Sequence, residues 1–147
     1  MEWTFWLSAF GLAIGAGMGL YSMINPKWGA KLVRLQADPG RPGGFAEFRG
    51  TYGGLFFFTH AVALALLAHA HFAPADGQLV PLGSVFTPGV LLVCATIWWG
   101  TCVGRVLSLV LDRAGPAFNV ASVGFEIALG ALIAAPLLAT SFGVNVA

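Results

Sequence analysis

Four long apolar runs, at 3–23, 45–71, 89–111 and 117–140, constrain this chain more than any motif in it. Each is near the ~20 residues a helix needs to cross the hydrocarbon core of a bilayer. Charge is correspondingly scarce: 9% of residues are charged and 58% hydrophobic, with mean hydropathy +0.84. An ordinary soluble domain carries about 25% charged residues. So few charges do not coat a soluble globule of 147 residues. The runs predict an all-α integral membrane four-helix bundle, one domain over 1–147. The first run lacks the basic n-region of a secretory signal, so the reading is a retained span.

The connections carry the orientation. Asn25-Pro26 ends the first span and predicts a new helix, with Asn as cap and Pro in the first turn. Lys27, Lys31 and Arg34 then repeat at helical spacing, with Trp28, Leu32 and Leu35 one residue behind. A basic stripe beside an apolar one predicts a short interfacial amphipathic helix between spans one and two, with Lys27, Trp28, Lys31 and Arg34 touching lipid headgroups. A Pro/Gly-rich loop with Arg41 follows. The expected loop at 72–88 holds Asp76 and no Lys or Arg, whereas the turn at 112–116 holds Arg113. By the positive-inside rule, both basic connections face the cytoplasm and both termini the opposite side, as in a multi-pass protein of the cell inner membrane.

Charges inside the runs need partners. Glu47-Phe48-Arg49-Gly50-Thr51-Tyr52-Gly53-Gly54 opens the second span, Arg105 lies about 10 Å into the third, and Glu126 about 13 Å into the fourth. Spacings of three and four residues put side chains on one helical face. They group Arg49, Tyr52 and His60 on span two, Arg105, Ser108 and Asp112 on span three, and Asn119, Ser122 and Glu126 on span four. Three polar stripes at overlapping depth predict one cluster of two acids and two bases in the cytoplasmic half. Three roles are open to it: an ion-pair network that fixes helix register, a polar pocket for a headgroup or small molecule, and proton transfer through Glu126.

Other features are packing signals. Gly11, Gly15 and Gly19 recur every four residues, as do Gly100 and Gly104, a spacing that lets helix backbones approach closely. Cys94 and Cys102 share one apolar run and read as small core residues. His60, His69 and His71 share one helix, so a bis-histidine haem is not expected; His60 reads as a core histidine or a single axial ligand to a pigment or haem. No metal, phosphate-loop or nucleophile motif is present, and no cofactor is expected. The net charge of +1 carries no nucleic-acid footprint.

The run Ala46 to Gly54, the step Gly104-Arg105-Val106-Leu107-Ser108 with Asp112 beyond it, and Glu126 in the last span resemble a family of small bacterial four-span membrane proteins. That family is catalogued as a domain of unknown function and is similar in layout to DoxX-like proteins. The resemblance implies four spans and a recurrent polar core at Glu47, Arg49, Tyr52, Arg105, Ser108 and Glu126, and it implies no reaction. The expected function is a lipid or small-molecule binding or accessory membrane protein. The alternatives are a subunit of a larger respiratory, photosynthetic or transport complex, and a small membrane enzyme acting on an apolar substrate. Expected partners are membrane lipids, a small apolar or headgroup-like ligand, and a second copy or a larger complex.

Overall fold

A computed structural model describes residues 2–38, 40, 43–72, 82–111 and 117–141. Among them the secondary structure is all-helical. Three helices, Glu2–Ile24, Gly44–Phe72 and Val85–Leu111, are long and apolar enough to cross a membrane. A fourth such element is a pair, Ala117–Ile133 and Ala135–Ser141, bent by 70° at its break. The chain divides into two compact units, one of Met1–Gly11 with Ala65–Ala147 and the other of Leu12–Leu64.

Helix α1 (Glu2–Ile24) places an acid in its first turn, where a carboxylate complements the helix dipole. It stops before Pro26, and α2 (Pro26–Leu32) starts there, with Asn25 Oδ1 accepting the Trp28 N–H at 3.2 Å. The basic stripe is shorter than expected. Helix α2 ends at Leu32, and Arg34 adopts a left-handed φ of 61°. The Leu35 N–H reaches back to the Ala30 carbonyl at 2.8 Å, closing the helix end in the usual left-handed manner with Arg where Gly is favoured. Only Lys27 and Lys31 therefore share the helical stripe, and both are exposed. The buried face of α2 is Pro26, Gly29 and Ala30 rather than the Trp28–Leu35 stripe. Gly29 explains this, since a Cβ there would lie 2.6 Å from Ser22 Oγ and 2.7 Å from the Phe48 ring.

The second span is a continuous helical path with an unexpected middle. Helix α3 (Gly44–Phe48) passes into a π-helical stretch, Arg49–Leu55, and then into α4 (Phe56–Phe72). The wider π-turn falls on Arg-Gly-Thr-Tyr-Gly-Gly-Leu, where three glycines relax the backbone. Within this unit α1 packs closely on the span. A side chain at Gly19 would overlap the Phe57 backbone and the Gly53 carbonyl, and one at Gly15 would overlap the His60 ring. The four-residue glycine step thus permits the close approach expected of it.

Helix α5 (Leu82–Leu111) begins about two turns before the expected start at Gly89 and carries Pro88 inside it. Pro88 lies in the second turn, where its missing N–H forfeits one backbone bond, and the helix continues through it. The expected loop at 72–88 is therefore partly helix, and the rest of it lies outside the described residues. Helix α6 (Ala117–Ile133) and α7 (Ala135–Ser141) replace the single expected run 117–140. Pro136 breaks the ladder, because its ring excludes the carbonyl four residues earlier and it lacks an N–H. At the bend the Ile133 carbonyl accepts the fully buried Ser8 hydroxyl at 2.8 Å. Trp99 on α5 packs over Gly130 on α6, and its indole N–H reaches the Ile127 carbonyl at 3.4 Å.

Candidate functional site

In the Leu12–Leu64 unit, the approach to the second span forms a cleft of about 490 Å³. Gln36, Phe45, Glu47, Phe48, Thr51 and Tyr52 give its wall both polar and aromatic character. Tyr52 stacks on Phe48 with ring centroids 4.7 Å apart and planes 15° apart. Phe48 lies just before the π-turn and Tyr52 within it. The Thr51 hydroxyl donates to the Glu47 backbone carbonyl at 2.8 Å, and the exposed Glu47 lines the cleft. Asp38 also lines the cleft, and its Oδ1 accepts the Gly40 N–H at 2.8 Å.

Arg49 plays a role the polar stripe did not foretell. Its guanidinium donates to the carbonyls of Met23 and Ile24, the last residues of α1. Helix-terminal carbonyls have no intrahelical donor, and Pro26 adds none. A cation there satisfies them and complements the negative end of the dipole.

Of the four charges expected to form one cluster, the other unit holds two, Arg105 and Glu126, as an ion pair. Arg105 Nη2 lies 2.6 Å from Glu126 Oε1, and Arg105 Nε lies 2.9 Å from the same oxygen. Asn119 Oδ1 stands 3.5 Å from Arg105 Nη1. Glu126 is 3% exposed, whereas the Arg105 side chain is 23% exposed. The second carboxylate oxygen, Oε2, is buried without a hydrogen-bond partner among the described residues. Ser108 is half-buried on α5, and Asp112 lies outside the described residues.

His60 is fully buried. Its Nδ1–H donates to the Phe56 carbonyl at 2.8 Å, and its ring covers Gly15, so it acts as a packing histidine. His71 instead stacks on Phe5 at 3.9 Å between ring centroids. Cys94 and Cys102 are buried, and neither forms a disulfide. Among the described residues no group of three or more His, Cys, Asp or Glu is arranged to hold a metal ion.

The structure thus brings Arg105, Asn119 and Glu126 together in one unit and sets Glu47 and Tyr52 on a cleft in the other. Gln36, Phe45, Phe48 and Thr51 are cleft residues that the spacing argument missed. The usable signal was the glycine content of 50–54, which marks a backbone departure inside an apolar helix. The fold defines a helical protein with three to four elements long and apolar enough to cross a membrane. Comparison with protein-family models, with curated proteins and with solved structures finds no match to this chain.

Proposed function

We infer that this protein is a four-span bundle of the bacterial inner membrane, similar in layout to DoxX-like proteins, that binds the polar end of a lipid-like or small molecule. The observation that carries the reading is the cleft at the start of the second span. It combines the Glu47 carboxylate, the Gln36 amide and the stacked Phe48–Tyr52 pair. Pockets that hold small ligands pair apolar and aromatic walls with a few polar groups in this way. Lys27 and Lys31, exposed on α2, supply an electrostatic tether to anionic headgroups near that cleft's own helix–loop segment. In this reading the basic segment faces the cytoplasm and both termini the other side.

Extraction in mild detergent followed by native mass spectrometry tests the reading. The expected result is a retained lipid or small-molecule mass that falls several-fold in E47Q/Y52F, which keeps the aromatic stack. A protein free of adducts, or adducts indifferent to E47Q/Y52F, overturns it.

One observation favours a second role as a subunit of a larger assembly. Gly100 and Gly104 on α5 have open space where their side chains would be, and Val103 and Leu107 beside them are 59% and 53% exposed. A small-residue step on an uncovered apolar face is the surface that packs against another membrane helix. An adduct-free protein found only with other subunits would favour this role over ligand binding.

A further inference from the structure

The buried carboxylate on α6 is half satisfied. Arg105 directs Nε and Nη2 at the single oxygen Oε1 of Glu126, while Oε2 is buried without a partner among the described residues. A buried acceptor without a donor costs the full loss of its hydration, and the cost is greater for a charged group. The guanidinium carries five N–H donors, of which Glu126 and Asn119 account for three. The pair therefore offers an unfilled acceptor beside a cation with donors in reserve.

We propose that the Arg105–Glu126 pair is a binding site for a hydroxyl group carried by an apolar molecule. The hydroxyl hydrogen goes to Glu126 Oε2 and the hydroxyl oxygen accepts from Arg105. Charge selects this chemistry. The ion pair is already neutral, so an ammonium head would bury an uncompensated positive charge, and a carboxylate head would compete with Glu126 for the guanidinium. A hydroxyl fills both roles without net charge. Access runs past Arg105, which is partly exposed, whereas Glu126 is not. An apolar body suits the apolar surface next in sequence to the pair, where Val106 and Phe125 are 42% and 44% exposed. This site lies on α5 and α6, so it stands or falls independently of the cleft on the second span.

The test uses the full chain in phosphatidylcholine nanodiscs, titrated with 1-dodecanol or with dodecyl methyl ether, and read by tryptophan fluorescence. Trp98 packs edge-on to Phe125 at 5.8 Å, and Trp99 bonds the Ile127 carbonyl, so both report on this region. The alcohol and the ether share the dodecyl chain and an acceptor oxygen, and only the alcohol donates. Dodecanol is expected to bind about tenfold more tightly, the effect of one hydrogen bond to a charged acceptor. In E126Q the amide donates where Oε2 accepted, and the preference for alcohol over ether is expected to vanish.

Infrared difference spectra of the unsubstituted protein keep the test decisive if E126Q fails to fold. The carboxylate stretch is expected to shift with dodecanol and to stay put with the ether. Equal affinity for the two probes, an unchanged preference in folded E126Q, or an unmoved carboxylate band overturns the proposal and leaves Oε2 to water. A repeat in phosphatidylglycerol nanodiscs separates the sources. Weaker dodecanol binding there identifies the hydroxylated lipid headgroup as the occupant, and unchanged binding identifies a free hydroxylated molecule.

Discussion

At the scale of single residues, two polar contacts in the unit that holds α5, α6 and α7 differ in kind. Ser8 gives its hydroxyl to the Ile133 carbonyl at the bend, where Pro136 has disrupted the helical ladder. That bond repairs a backbone fault. Arg105 and Glu126 do no such repair, since both lie on regular helix and have been taken out of water by the apolar runs around them. Breaking such a pair strands a buried charge, whereas replacing both partners removes the cost along with the gain. Arg105→Met alone is therefore expected to destabilise the protein by about 3–5 kcal/mol. The double variant R105M/E126M is expected to fall within about 1 kcal/mol of the unsubstituted protein or above it. Denaturation in detergent, followed by circular dichroism, checks the pair. Equal loss in the single and double variants would mean that the ion pair itself supplies the stability.

Elements in this protein are shaped by where small residues stand. Helix α1 carries Gly15 and Gly17 two residues apart, on different faces, and the structure treats them oppositely. A methyl at Gly15 would overlap the His60 ring, whereas Gly17 has nothing within 4 Å of the equivalent position. Gly15→Ala is expected to cost about 1–3 kcal/mol, the usual penalty for overfilling a tight contact. Gly17→Ala is expected to be neutral or to stabilise by up to about 1 kcal/mol through helix propensity. Thermal unfolding of the two variants side by side is the check, and equal effects would remove the packing explanation. The π-turn of the second span obeys related logic. Gly53 is buried against Met23, so the wide turn and the close pass of α1 occur at one place. The bend between α6 and α7 has a different cause, the missing donor and bulky ring of Pro136.

For the whole molecule, the governing quantity is the location of its few charges. Lys27 and Lys31 are exposed on the short helix after the first span, and the proposed orientation, which follows the positive-inside rule, has that segment on the cytoplasmic face. A membrane-impermeant maleimide is expected to label K27C in inverted vesicles and to spare it in intact cells. Labelling in intact cells would reverse the orientation.

Much of this architecture was legible in the sequence, because hydrophobic length is a one-dimensional property. The positions of α1, of the second span and of most of α5 follow from runs of apolar residues, and the low charge content excludes a soluble surface. That Arg105 and Glu126 need charged partners was legible for a related reason, although the pairing within the expected four-charge cluster was not. Two isolated charges at similar depth in spans joined by a short turn have few other ways to be neutralised. What the tertiary structure decided depends on backbone geometry that residue spacing does not encode. Glu47, Phe48, Thr51 and Tyr52 line a cleft where the helix passes into the π-turn, and Arg49 reaches the end of α1 instead of a carboxylate. Pro88 and Pro136 look alike as letters, yet one sits inside a helix and the other breaks one. Hydrophobicity sets which segments leave water; only three-dimensional packing sets which polar atom is left without a partner.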